Sequence, residues 1–414
     1  MSGTTQAIDW RDKGIWHPGA GEPAAEFLER KPSLFSGVCS WPVMVLRQDS
    51  LDRNIDTLAA FCAAHRLDFA PHGKTTMAPG AYDRQIAAGA WGITFATAHQ
   101  VLVGRRSGLK RILLANELLD PVAIAWLADE VATDSDFEFA CYVDSPAGVR
   151  AIAEIGARRG IGAGFPVLLE IGFAGGRTGV RTRREARELA ELVAATNGIR
   201  LVGVAAYEGG LPTPDAVRGY FAEVRAVVAE LVEASLLPAR PIVTAGGSSY
   251  FDMVAQELAG EWAASLDLQV ILRSGAYVSH DDGTYKLKTA YNRIPEEGGL
   301  TPAIEVWAQV LSTPDPGLAI VGMGKRDAPY DEGMPIPLRI RRAGRTEQEP
   351  VRAAVCTKMD DHHGYVALPD GMEVAPGDLI CFGISHPCTA FDKWRQLPVI
   401  DENYVITDVL RTYF

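Results

Sequence analysis

Residues 166–180 read PVLLEIGFAGGRTGV. An apolar run, Pro166–Ile171, ends in a glycine-rich turn that carries Arg177. A helical pattern over Arg183–Asn197 follows, then a second apolar run, Leu201–Tyr207. Neither run alternates with polar residues, as expected of strands buried on both faces. Strand, helix and strand in that order make one unit of a parallel sheet with a right-handed crossover. The unit recurs on both sides. Apolar runs at Val43–Leu46, Asp68–Pro71, Ile93–Ala96, Arg111–Ala115 and Phe137–Val143 precede it, and Pro241–Ala245 and Gln269–Leu272 follow. Helices are expected over Ser50–Arg66, capped by Asp49 or Ser50, and over Pro214–Ser235, with Val217, Phe221, Val224 and Val228 in register. Eight such units close a (β/α)8 TIM barrel. The runs number nine, so one is surplus or belongs to a neighbouring domain. A doubly wound sheet is the alternative, but it usually has fewer units.

After residue 285 the texture changes. Long helical patterns stop, and short strand-like segments with turn residues follow: Ile304–Leu311, Leu318–Met323, Ile336–Arg341, Arg352–Lys358, Gly364–Leu368, Asp378–Ile384 and Tyr404–Leu410. Turns are expected at Ala343-Gly344, Pro369–Gly371 and Pro376-Gly377. The division is a barrel over 36–284 and a C-terminal all-β domain over 285–414, with 1–35 lying on the latter.

The 414 residues are 47% hydrophobic and 22% charged, which excludes a mostly disordered chain. A net charge of −12 argues against nucleic acid or an anionic membrane as partner. Six cysteines (Cys39, Cys62, Cys141, Cys356, Cys381, Cys388) in so long a chain are no disulfide framework. The N-terminus, MSGTTQAIDWRDKG, lacks the apolar core of a secretory signal, and no apolar run is long enough to span a membrane. These features lead us to expect a cytoplasmic protein.

Chemistry-bearing residues collect where strands end, which is where barrels place their active sites. Pro71-His72-Gly73-Lys74-Thr75-Thr76 ends the second strand. A partly buried lysine there can form a Schiff base, and His72 is directed to the same side. Gly73-Lys74-Thr75 imitates a phosphate-binding P-loop, but that loop needs glycine at position 68, which is Asp68. Two later loops, Gly246-Gly247-Ser248 and Ser274-Gly275-Ala276, offer amides that can hold an anion such as phosphate. Arg177 and Tyr207, at two further strand ends, can bond to or pack on an aromatic ring. In the β domain, His386-Pro387-Cys388 places imidazole and thiolate one residue apart, on one face if extended, a pair suited to zinc. Two protein ligands leave positions open, the catalytic rather than the structural pattern. Asp360-Asp361-His362-His363 could add further ligands or orient these.

Assembled, PHGKTT, GGRTGV, AYEGG, TAGGSS, RSGAY and SHPCTAFDKW resemble the fold-type III pyridoxal-phosphate enzymes over nearly the whole chain. The resemblance is to the D-serine dehydratase and D-threonine aldolase group, with its alanine racemase-like barrel and C-terminal β domain. It implies pyridoxal 5′-phosphate on Lys74, with His72, Arg177, Tyr207, Gly246, Gly247, Ser248, Ser274, Gly275 and Ala276 around it. Zn2+ or another divalent metal is implied on His386 and Cys388. The implied substrate is a small D-amino acid, and the implied assembly is a homodimer whose sites are completed at the seam with the partner's β domain. The implied activity is β-elimination from a 3-hydroxy-D-amino acid such as D-serine, giving a 2-oxo acid and ammonia. Lys74 would remove the Cα proton and the metal would polarise the β-hydroxyl. The alternative is retro-aldol cleavage to glycine and an aldehyde. The aldolases have Asp where this chain has Cys388, which favours elimination. Ala70 and Thr76-Met77 depart from the basic residues common in the group, and bear on substrate choice.

Overall fold

The computed structural model describes residues 7–414; residues 1–6 of the segment assigned to 1–35 lie outside the described residues. Eight parallel strands form the first sheet. In chain order they are Asp68–Phe69, Ile93–Phe95, Arg111–Glu117, Glu138–Val143, Phe165–Ile171, Ile199–Ala206, Ile242–Ala245 and Gln269–Leu272. From the second strand on, each pairs with its sequence neighbour, and the last pairs with the first through Ile271 opposite Asp68. The ring closes where His72 bridges Thr94, supported by hydrogen bonds from Thr94 N to Pro71 O and from Trp91 N to Phe69 O. Leu113, Tyr142, Leu168 and Ile271 fill the interior, as expected of a packed barrel rather than a pore. The outer faces of the strands bury Ile112, Val167, Leu169 and Val243 against the helices. Both faces are therefore apolar, which is why these strands read as continuous runs.

The ninth run, Val43–Arg47, is not a barrel strand. It lies in the second sheet, antiparallel to Ile304–Asp315 and parallel to Gln396–Ile400. The helix after it spans Gln48–Ala64; it starts directly from the strand at Arg47, without the side-chain cap expected from Asp49 or Ser50. The helix Arg183–Ala194 does carry a full capping box between Thr182 and Glu185. The second sheet is built mostly of antiparallel strands around Ile304–Asp315, which pairs with Leu379–Gly383 and Leu318–Val321. The strand Gln396–Ile400 was not foreseen. The N-terminal segment packs on this sheet: Ile8, Ile15, Phe27 and Leu34 share a cluster with Val45, Trp307 and Ile400. No helix among the described residues is long and apolar enough to cross a membrane.

Candidate active site

A cavity of about 320 Å3 opens at the C-terminal ends of the barrel strands, where it meets the β domain. Lys74, His72, Arg177, Tyr207, Gly246, Gly247, Ser248, Gly275, Ala276, His386 and Cys388 all line it. A larger cavity, about 580 Å3, lies at the opposite end of the barrel around Trp91, Arg200 and Arg240. It holds none of the residues singled out in the sequence, so the smaller cavity is the candidate site.

Lys74 sits on the one-turn 3-10 helix Gly73–Thr75, not on an extended strand. The turn is fixed from outside by Tyr82, whose hydroxyl donates to Gly73 O at 3.1 Å. Lys74 forms no ion pair among the described residues and is half-buried, so its amine is uncommitted. His72 beside it is kept neutral: burial, then the nearby charges of Lys74 and Arg273, hold its pKa well below the usual imidazole value. Its Nδ1 is buried without a partner.

Arg177 makes no ion pair among the described residues. Its guanidinium lies 4.8 Å from the centre of the Tyr207 ring, a cation–π contact at the cavity wall. Arg273 is the cation the sequence analysis passed over. It is buried at the cavity floor and donates to Thr244 Oγ1 and to Ala206 O, both at 2.7 Å.

The expected anion loops need one correction. The amides of Gly246 and Gly247 donate to the Glu208 carboxylate at 3.1 and 2.6 Å, so they are not available to a ligand. Glu208 is fully buried, and burial raises its pKa while these amides oppose the rise. Ser274 is also engaged, since its hydroxyl donates to Gly247 O at 3.0 Å. The amides of Ser248, Gly275 and Ala276 remain without a protein acceptor among the described residues. A side-chain carbon at Gly275 would lie 2.6 Å from His72 O, so only glycine lets the two loops meet.

His386 and Cys388 do converge, but not on an extended strand. Pro387 starts a 3-10 turn over Pro387–Thr389, and the two side chains meet around it. The His386 pKa is pushed up to about 9, first by its hydrogen bond with Cys388 and also by Asp331, against the effect of burial. Asp331 lies 2.6 Å from His386 Nδ1 and accepts from Thr389 Oγ1 at 2.8 Å. It thereby orients the ring and leaves Nε2 for a cation. Asp331 is a residue the sequence analysis did not single out. Asp360, Asp361, His362 and His363 are not part of the site: they form the tight connection between Val355–Met359 and Gly364–Ala367, where Asp360 accepts from Tyr365 Oη at 2.9 Å. Cys388 Sγ lies 3.6 Å from Thr75 Oγ1, next to Lys74 in sequence. The β-domain pair and the barrel lysine thus meet within one chain, with no partner needed to bring them together. Tyr285, also unforeseen, lines the same wall with its ring 6.2 Å from that of His386.

Residues 46–262 match the family model described as "Alanine racemase, N-terminal domain". The chain belongs to the alanine racemase-like, fold-type III pyridoxal-phosphate family. Residues 303–400 of this family member match a second model, "Putative serine dehydratase domain". The chain is 25% identical over 350 residues to a 3-hydroxy-D-aspartate aldolase of Paracoccus denitrificans, covering 82% of this chain and 84% of that one. It is 28% identical over 356 residues to a D-threo-3-hydroxyaspartate dehydratase of Delftia sp., covering 80% and 84%. A crystal structure of D-threonine aldolase from Filomicrobium marinum superposes with a TM-score of 0.76 at 23% identity, covering 90% and 95%.

The cavity fits this family's cofactor. It has a free lysine amine, an orphaned buried nitrogen on His72, three unpaired amides on two loops and an Arg–Tyr pair at its wall. The His386–Cys388 donor set fits a borderline-soft divalent metal, since an imidazole nitrogen and a cysteine sulfur face the same cavity and leave further positions open.

Proposed function

We propose that this chain is a pyridoxal-phosphate- and zinc-dependent lyase that removes water from a 3-hydroxy-D-amino acid, D-serine or a 3-substituted relative. The products would be a 2-oxo acid and ammonia. The observation that carries the reading is the opening of the Lys74 amine and the His386–Cys388 pair onto one cavity, joined by the 3.6 Å approach of Thr75 to Cys388. Pyridoxal phosphate, when bound, would serve as the electron sink for the carbanion at Cα. Lys74, the one lysine lining the cavity, would take the Cα proton. His386 and Cys388 would hold the metal at the β-hydroxyl, and Asp331 would keep His386 in its metal-binding tautomer. Arg177, with no ion pair of its own, is available to an anionic oxygen of substrate or cofactor. The unpaired amides of Ser248, Gly275 and Ala276 suit a phosphate.

The metal is supported by a solved D-threo-3-hydroxyaspartate dehydratase described as a cysteine-to-alanine mutant in the metal-free form. Retro-aldol cleavage is the second reading, favoured by the likeness to two kinds of aldolase. Incubating the protein with D-serine, D-threonine and D-threo-3-hydroxyaspartate and assaying 2-oxo acid and ammonia against glycine separates the two. Elimination requires 2-oxo acid with D-serine and no glycine from any of the three. A cytoplasmic homodimer is part of the proposal. The exposed Trp10 and Trp16, 71% and 64% accessible on the N-terminal segment, are suited to such an interface. Sedimentation of the active protein as a monomer would refute the dimer.

A further inference from the structure

Three adjacent barrel strands end in acids at the C-terminal rim of the barrel, and one of them, Glu170, lines the cavity. Glu117 closes Arg111–Glu117, Asp144 follows Glu138–Val143, and Glu170 lies near the end of Phe165–Ile171. One carboxylate oxygen from each lies within 4.8 Å of the other two. None of the three forms an ion pair among the described residues. Glu117 Oε1 and Glu170 Oε2 are buried and accept no hydrogen bond. Glu170 is only 4% exposed. Leaving carboxylates desolvated and unpaired is costly unless a proton or a cation answers them.

A separate group points to the same place. Tyr142 is 2% exposed, and its hydroxyl has no partner. Its side chain is on the inner face of the barrel, in register with Glu117 on one side and Leu168 on the other. It lines the same cavity as Glu170. Its pKa is raised by burial; the nearby Arg273 and Arg177 oppose the rise, and the charges of Glu170 and Glu117 add to it, so the hydroxyl stays a donor beside these acids.

We propose that Glu117, Asp144 and Glu170 form a second cation site, distinct from His386 and Cys388, for a hard divalent ion such as calcium or manganese. The donors are all oxygen, which selects hard ions. Two oxygens on opposite sides of a calcium ion, each at ~2.4 Å, stand ~4.8 Å apart, and the three carboxylate oxygens lie within that span of one another, so one ion can reach all three. The Tyr142 hydroxyl is placed to donate to a water on the ion. The site is tied to the chemistry through Asp144, whose Oδ2 accepts from Gly179 N at 3.1 Å and so anchors the turn that presents Arg177. An ion there would neutralise a wall that faces an anionic cofactor. That last consequence rests on the proposed function; the site itself does not.

Calcium is the selective probe, because a His–Cys pair binds it poorly. Chelator-stripped full-length protein would be titrated with calcium by calorimetry and by thermal melting. The expected result is one calcium per chain and a rise in Tm, both retained in Cys388→Ala and both lost in Glu170→Gln and in Asp144→Asn. Retained pyridoxal-phosphate absorbance in these variants would show that they fold. Three results would each overturn the proposal: no binding by the wild type up to about 10 mM calcium, above the range of weak protein calcium sites; undiminished binding in the folded Glu170→Gln and Asp144→Asn proteins; or loss of binding in Cys388→Ala.

Discussion

Replacing Asp331 by Ala should weaken zinc binding without touching the cofactor. Asp331 is the group that fixes His386, at 2.6 Å from Nδ1, and it is itself held by Thr389 at 2.8 Å. Without it Nδ1 keeps the contact with Thr389 Oγ1 at 3.4 Å, a poorer and uncharged partner. The imidazole would then lose both its tautomer lock and part of its basicity. Removing a carboxylate of this kind from a metal-bound histidine typically costs 10–100-fold in metal affinity. At about 1.4 kcal/mol per tenfold, that is about 1.4–2.8 kcal/mol. Competition against a chromophoric chelator measures the zinc Kd directly. Asp331→Asn should fall between Ala and wild type, because an amide oxygen can still accept from Nδ1–H but carries no charge. Pyridoxal-phosphate absorbance should be unchanged, since Asp331 does not line the cofactor cavity. A zinc Kd within twofold of wild type in Asp331→Ala would refute the orienting role and leave the contact as mere surface pairing.

Lys74→Ala should abolish D-serine turnover while phosphate contacts still retain some cofactor; turnover at a comparable rate would remove Lys74 from the mechanism. Gly275→Ala should weaken pyridoxal-phosphate binding at least tenfold and lower Tm, because the new carbon would sit 2.6 Å from His72 O and 2.7 Å from His72 Cβ, pushing the two loops apart at a cost of about 1–3 kcal/mol; equilibrium dialysis and melting check both. Glu117 gives a pH signature in calcium-free buffer. Its pKa is raised in the folded protein to about 8 from 4.5, so the folded state binds the extra proton and stability falls as pH rises through that window. The groups facing it are Glu170, Asp144, Tyr142 and Cys141. Glu117→Gln should flatten the decline in Tm between pH 5 and 8, and an unchanged slope would contradict the assignment.

Much of the barrel was legible because its strands are buried on both faces and separated by helices of clear periodicity. The one misplaced strand shows the limit of that signal. Val43–Arg47 lies between Ile304–Asp315 and Gln396–Ile400 and is buried along nearly its whole length, so it has the same apolar texture as a barrel strand. Burial on both faces does not reveal which sheet supplies it. At the site, the motifs indicated which segments would meet but not what each atom would bond. The Gly246-Gly247 turn looked like an open anion nest, and its amides are filled by Glu208 from the neighbouring strand end. Asp331 is 55 residues from His386, and no spacing rule links them. Asp360 and His363 were proposed as metal partners because they stand near His386 in sequence and chemistry. The chain instead uses them to turn between two strands. Pro387 offered a usable signal, since a proline between the two ligands is at home at the start of a turn.

The central claim is that Lys74 and the His386–Cys388 pair act on one substrate in one cavity, the metal being needed for a hydroxyl to leave. The most direct measurement is turnover of D-serine and of β-chloro-D-alanine by the same protein before and after metal stripping, with absorbance and metal content recorded. The account predicts that D-serine turnover collapses, β-chloro-D-alanine turnover largely survives because chloride leaves without Lewis-acid help, and the cofactor band stays. Undiminished D-serine turnover by demonstrably metal-free protein would contradict it.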